Sequence, residues 1–175
     1  LENGSLLDYC QINPQSPDFA EHFNTFVLPL ALDSARGLAC IHSHNLLHRD
    51  LKSANILLSG TNVGKIADFG LSRTEDSTMS CVGSPLWAAP EMLTVESHSG
   101  GEVDVYSLAV TFWEMTAWTL PYNLAERNLG SMEPRPVLKS PLRRKRQHFP
   151  FEMTAQLRHP IGQMWRRKSL SRPTV

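Results

Sequence analysis

His48-Arg49-Asp50-Leu51-Lys52-Ser53-Ala54-Asn55 places a carboxylate, a cation and a carboxamide within one tight turn. Working outward, Asn55-Ile56-Leu57-Leu58 and Lys65-Ile66-Ala67 read as two short strands, and Ser59-Gly60-Thr61-Asn62 supplies turn chemistry between them, so a small hairpin is expected. Asp68-Phe69-Gly70 closes the hairpin, and Gly70 permits a sharp backbone turn. The segment from Asp68 to Glu91 is long, polar and rich in Ser and Thr, and ends in Ala89-Pro90-Glu91. A connection of that length in a packed domain usually serves a function. Alone, each block has a bland reading: a strand-ending turn for Asp68-Phe69-Gly70, a surface ion pair for His48-Arg49-Asp50. Their fixed order, with apolar strands between two acidic groups, is what selects a functional reading.

Upstream, apolar residues from Phe23 to His44 fall at helical spacing, with Val27, Ala31, Ala35, Leu38 and His42 sharing a face. Pro29 starts or kinks this helix. Downstream, Asp104 to Thr116 is apolar nearly all round, as expected of a helix inside the domain. Asn13 to Asp18 carries two prolines and reads as a loop. Asn123 to Pro150 follows no clear pattern. It holds Pro134, Pro136, Pro141 and Pro150 and the basic run Arg143-Arg144-Lys145-Arg146, which reads as a solvated loop or, alternatively, as a nuclear-localisation or docking patch. Leu157 to Trp165 is expected to form a last helix.

At 175 residues, 41% hydrophobic and 19% charged, the chain has the makings of one packed domain. A formal net charge of +0 favours neither nucleic acid nor an anionic membrane. The basic run lacks the aromatic interleaving of a nucleic-acid binder, so no nucleic-acid partner is expected. Cys10, Cys40 and Cys81 are widely spaced and odd in number, which argues against a disulfide framework or a zinc site and fits a reducing compartment. No leader is evident at Leu1 and no apolar run is long enough for a membrane segment, so a cytoplasmic location is expected. Asn3-Gly4-Ser5 matches a glycosylation sequon, a pattern common by chance.

With these blocks in order, the chain resembles the C-terminal lobe of a eukaryotic-type protein kinase, and is similar to the tyrosine-kinase-like group of serine/threonine kinases. The likeness runs from Leu1 to about Tyr122 and resumes near Leu157. It implies a mainly α fold with a small β hairpin, a partial kinase domain over residues 1–175 with a divergent region at 123–150, and an N-terminal lobe absent from the chain. It also implies ATP and Mg²⁺ as cofactors and a protein Ser/Thr hydroxyl as substrate. Protein kinases are themselves a worked template for phosphoryl transfer, and the roles are carried over from it. Asp50 would accept the hydrogen bond and then the proton of the substrate hydroxyl. Lys52 would set an ammonium near the moving phosphoryl group, while Asn55 and Asp68 would be the metal ligands. Ser5 falls where family members contact the ATP ribose, Leu57 would form the floor under adenine, and His48 and Phe69 would stack in the active state.

Further expectations follow from the resemblance. Lys52 and the stretch Gly83-Ser84-Pro85-Leu86-Trp87-Ala88-Ala89-Pro90-Glu91 resemble the Ser/Thr form, with Ser84 bonded to Asp50 and Lys52. Arg49 beside the catalytic Asp suggests regulation. A phosphate on Thr78 or Ser80, with Thr74 and Ser77 behind them, adds close to two negative charges and could pair with it. Glu91 and Arg172 resemble a buried ion pair whose rupture costs about 3–5 kcal/mol. Asp104 resembles the residue that holds the catalytic-loop backbone.

The chain departs from the family at Leu108-Ala109, where Phe-Gly is usual, and over Asn123 to Pro150. It shows no Gly-rich phosphate loop and no strand Lys ahead of Leu1, so residues 1–175 alone are expected to bind ATP poorly and to expose apolar surface where the other lobe would sit. A non-catalytic binding or decoy module is the alternative reading. The intact set Asp50, Lys52, Asn55 and Asp68 favours the enzyme.

Overall fold

The computed structural model describes residues 2–12, 19–74, 83–93, 100–118, 120–121, 159, 162–164 and 173. At its centre is helix α4, Glu102–Ala117, in which every residue from Val103 to Thr116 is buried. Neither Gly nor Pro interrupts this run. Packing Leu108, Val110 and Met115 out of water contributes about 1.5–3 kcal/mol for each side chain. Buried hydroxyls bond back to the helix itself: Ser107 to the Val103 carbonyl, Thr111 to that of Ser107 and Thr116 to that of Trp113. That leaves Asp104 and Glu114 as the carboxylates of α4 that must find donors on other elements. The helix ends at Trp118, which turns left-handed at φ 49° while its N–H still reaches the Glu114 carbonyl.

Against α4 runs a longer helical stretch made of α2, Phe19–His22, a π-helical turn, Phe23–Val27, and α3, Leu28–Ser43. Pro29 sits in the first turn of α3, directly after the π-helical turn. A proline lacks the N–H for the i−4 bond and its ring crowds the carbonyl one turn back, and the wider π turn accommodates both. The periodicity over 23–44 marks a helix correctly but sets its buried line slightly off. Val27 and Leu38 face inward, yet the line continues through Leu30, Ser34 and Ile41, while Ala31, Ala35 and His42 are only half-buried.

The small sheets are antiparallel. β1, Leu46–Leu47, pairs with β4, Arg73–Thr74, and β2, Ile56–Leu58, pairs with β3, Gly64–Ile66, with Leu57 opposite Lys65. The β2–β3 turn is closed by Ser59 N–H to the Val63 carbonyl at 3.1 Å, with Asn62 left-handed at φ 60°. Gly64 is pressed on α3: an added Cβ would lie 2.4 Å from Leu30 Cδ1. Residues 3–5 run beside β2, where Gly4 C=O accepts the Leu58 N–H at 2.9 Å, and lead into α1, Leu6–Ile12. Tyr9 on α1 stacks on Phe26 at 4.0 Å between ring centroids, and His22 lies between Phe26 and Trp118 at 5.3 and 4.9 Å.

Mainly helical structure with small β pairs thus agrees with the sequence expectation. Thr78, Ser80, Arg172, the loop over 13–18, the region 123–150 and most of the helix expected over 157–165 lie outside the described residues; within that last span, His159 and Gly162–Met164 are helical. No described helix is long and apolar enough to cross a membrane.

Candidate active site

The turn between β1 and β2 is held from below by α4. Asp104, fully buried, accepts the backbone N–H of His48 on Oδ2 and that of Arg49 on Oδ1, both at 2.8 Å. Its Oδ2 also accepts from His42 Nε2 at 3.0 Å. One carboxylate on the first turn of α4 therefore fixes two consecutive amides of the loop. Arg49 adopts φ 67°, a left-handed conformation that costs a non-glycine residue about 1–2 kcal/mol and turns the chain toward Asp50. Its side chain is buried, and burial first, then the nearby Arg73, lower the guanidinium's pKa from its ordinary value, with Asp104 opposing.

His48 links this loop to the end of the hairpin. Its Nε2 lies 2.9 Å from the Ala67 carbonyl, an acceptor only, so Nε2 carries the proton and Nδ1 receives the Asp50 N–H at 3.4 Å. Its ring meets that of Phe69 at 5.3 Å between centroids. Ala67 N–H also donates to the Asn55 carbonyl at 2.9 Å, so the backbone immediately before Asp68 is tied to both ends of the loop. Asp68 itself is exposed and left-handed at φ 63°, and its Oδ1 accepts the Gly70 N–H at 3.3 Å.

Asp50 is the hub of the side-chain cluster. Its Oδ2 takes Lys52 Nζ at 2.8 Å and its Oδ1 takes the Ser84 N–H at 2.7 Å. Lys52 Nζ reaches Ser84 Oγ as well, at 2.7 Å. Asn55 Nδ2 donates to the Asp50 carbonyl at 2.8 Å and to Oδ2 at 3.3 Å. Burial pushes the Asp50 carboxyl up, but hydrogen bonds from Lys52 and Ser84 together with the Lys52 charge outweigh it and leave the pKa below the usual carboxylate value. Asp50 is therefore an ionised acceptor at neutral pH.

The structure thus joins Asp50, Lys52, Asn55 and Ser84 by direct bonds, and brings Asp68 to the same loop through the backbone. Asn55 spends its N–H₂ on Asp50, which leaves the carboxamide oxygen as the end suited to a hard cation. Among the described residues no cluster of three or more His, Cys, Asp or Glu forms a metal cage. One carboxamide and one exposed carboxylate match instead a magnesium ion that keeps water and phosphate oxygens in its shell.

Ser5 is buried and its hydroxyl is engaged with Asp8: it donates to Oδ2 at 2.7 Å and accepts the Asp8 N–H at 3.2 Å. This is a reciprocal cap on α1. The Ser5 hydroxyl foremost, and then its backbone N–H, hold the exposed Asp8 carboxyl below its usual pKa. Leu57 is half-buried in β2 and bridges to Ser5. Glu91 is half-buried, and Thr74 is exposed in β4.

Two further residues shape the site, and the sequence alone does not single them out. Gly83 adopts φ 104°, and an added Cβ would come within 2.6 Å of the Arg49 carbonyl, so the segment bearing Ser84 can approach the loop only through a glycine. Glu114 accepts from Ser53 Oγ at 2.8 Å and from Trp87 Nε1 at 2.9 Å. Burial pushes its pKa up to about 7 against the pull of those two donors. The one signal for it in the sequence is a lone carboxylate near the end of an otherwise apolar helix, which must be met by donors from elsewhere.

A family model described as "Protein kinase domain" matches residues 2–175. The chain is 32% identical over 179 residues to the dual specificity protein kinase shkB of Dictyostelium discoideum, covering 99% of this chain and 26% of that protein. It is 33% identical over 174 residues to an RGS domain-containing serine/threonine-protein kinase A of the same organism, covering 98% of this chain and 14% of the relative. It is 34% identical over 154 residues to the serine/threonine-protein kinase CTR1 of Arabidopsis thaliana, covering 84% of this chain and 18% of the relative. Among such curated relatives the chain spans between 9% and 37% of their length.

Proposed function

This chain belongs to the protein kinase domain family, and from that premise we propose that it carries the phosphoryl-transfer machinery of a serine/threonine protein kinase acting from Mg²⁺-ATP on a protein hydroxyl. The observation that carries the reading is the joint grip of Lys52 and Ser84 on the Asp50 carboxylate. Phosphoryl transfer through a loose transition state asks for alignment and for cations rather than for a strong base. A carboxylate with a depressed pKa, held on both oxygens, meets that demand, because it orients an alcohol and takes its proton late. Lys52, fixed between Asp50 and Ser84, sets a positive charge beside the path of the transferred group. Bound Mg²⁺ would neutralise phosphate charge, with Asn55 and Asp68 as its protein ligands.

The Ser/Thr preference is supported by Lys52 and by the hydroxyl of Ser84 closing the space beside Asp50. Phe69, 49% exposed, supports the further reading that a second lobe, carrying the phosphate loop and a strand Lys, covers this face in the working kinase. Arg49 and Arg73, electrostatically coupled, are the proposed partners of a phosphate on Thr78 or Ser80.

The test uses full-length protein, γ-labelled ATP and a generic basic substrate protein. Asp50→Ala should lower transfer by a factor of about 10²–10⁴ while nucleotide binding persists. Asp68→Ala should lose Mg²⁺-dependent nucleotide binding as well. Unchanged transfer by Asp50→Ala sinks the assignment. Binding of partners by a wild type that transfers nothing would favour the non-catalytic module.

A further inference from the structure

Outside the Asp50 cluster, the described residues hold one buried carboxylate that spans two catalytic segments. Glu114 is 1% exposed and sits near the end of α4. One oxygen receives Ser53, the residue after Lys52, and the other receives the indole N–H of Trp87. Trp87 is in turn linked to Ser84, because the Ser84 carbonyl accepts the N–H groups of both Trp87 and Ala88 at 3.1 Å. The two arms of Glu114 therefore end next to the two partners of the 2.7 Å bond between Lys52 and Ser84.

We propose that Glu114 is a positioning residue that sets the distance between the catalytic loop and the segment bearing Ser84, and so keeps Lys52 and Ser84 together on Asp50. The inference rests on the phosphoryl-transfer reading above. A hydrophobic side chain at 114 would fill the same space but leave the Ser53 hydroxyl and the Trp87 N–H without their acceptor, and neither segment would then be referenced to α4. The bonds are charge-assisted when Glu114 is ionised, which strengthens them. With its pKa near neutrality, the grip tightens as pH rises through about 7.

Few titratable groups surround it among the described residues. Cys10 on α1 feels the Glu114 charge, and burial first, then that charge, push the thiol up to about 12, so it stays neutral throughout. Asp50 and Lys52 lie further along the catalytic loop, and Glu91 lies four residues past Trp87. The π-helical turn packed on α4 brings no charged residue, whereas α3, also packed on α4, carries Asp33, Arg36 and His42, the last of them bonded to Asp104 at the opposite end of α4.

The experiment measures kcat and the KM for ATP in the full-length kinase. Glu114→Leu should lower kcat at least about tenfold with the KM for ATP within about twofold, as expected for loss of charge-assisted bonds that act on the transition state. Trp87→Phe keeps the ring and removes only the N–H; it should show the same split at roughly three- to tenfold, and it decides the matter if the Leu variant does not fold. Glu114→Gln can accept from Trp87 and donate to Ser53, so it should keep about half or more of kcat while losing the rise in kcat through pH 7. Trp87→Phe and Ser53→Ala both within about twofold of an active wild type in kcat would overturn the proposal. A wild type without transfer activity would instead overturn the kinase reading, and this inference with it.

Discussion

Asp104 Oδ2 accepts the His48 N–H at 2.8 Å across 56 residues of sequence. The same carboxylate takes the Arg49 amide and the His42 ring, so the loop is hung from α4 by a side chain that water does not reach. Asp104→Ala leaves two buried amides without acceptors, each costing about 1–3 kcal/mol. A loss of roughly 2–6 kcal/mol in denaturant unfolding is expected, with transfer activity lost in parallel. A variant as stable as wild type would show that the two amides find other partners.

At Gly83 the obstacle is backbone, not a movable side chain. Alanine there would meet the Arg49 carbonyl at 2.6 Å in a conformation, φ 104°, that side chains avoid. Gly83→Ala should therefore displace Ser84 and cut kcat by about tenfold or more, while the melting temperature falls by only a few degrees because the segment lies at the surface of the core.

Ser84 is bound through its N–H to Asp50 and through its hydroxyl to Lys52. Only the second contact depends on the side chain. Ser84→Thr keeps the hydroxyl and should retain activity, whereas Ser84→Ala should lose about 3- to 30-fold in kcat, the range of one hydrogen bond to a charged group. Equal kcat in the two variants would count against any role for the hydroxyl.

Glu114 makes stability depend on pH in a direction unlike that of most carboxylates. Its folded pKa of about 7 lies above the ordinary value of 4.5, so the folded state binds more protons than the unfolded one between these values. Its contribution to stability is full below about pH 4.5 and is lost as pH rises through about 7, because the burial penalty on the ionised carboxylate outweighs the stronger bonds it then makes to Ser53 and Trp87. Glu114→Gln should remove a difference on the order of 3 kcal/mol between those two ends, read from urea unfolding of both proteins at each pH. Parallel curves for the two would place the ionisation elsewhere.

What can be read from the chain follows from where side-chain identity, rather than packing, carries the information. The Asp50-to-Asn55 block is readable because its chemistry lies in fixed short offsets, and Asp104 to Thr116 because a helix apolar on every side has one destination; its observed span is Glu102–Ala117. The hairpin is visible from its turn residues. The β1–β4 pair is not, since two-residue strands leave no period to detect. Nor is the π turn ahead of Pro29, which changes helix winding without changing composition. Gly83 and Glu114 escape notice as functional residues because their importance lies in tertiary distances: one in how near a carbonyl passes, the other in which donors reach a buried acid. Ser5, which by position resembles a residue that contacts the ATP ribose, also caps α1 with its hydroxyl, a local use that its position in the sequence alone does not reveal.

The aromatic stack at the foot of the molecule carries an optical consequence. Burial holds His22 below its ordinary pKa of 6.5, so the imidazole beside Trp118 stays uncharged in the folded protein where a free histidine would already take up a proton. An imidazolium quenches indole emission and a neutral ring does so far less. Acidification should therefore dim Trp118 at a lower pH than an unburied histidine partner would, unless this corner opens first, so early dimming is a gauge of local opening, distinct from loss of the whole fold.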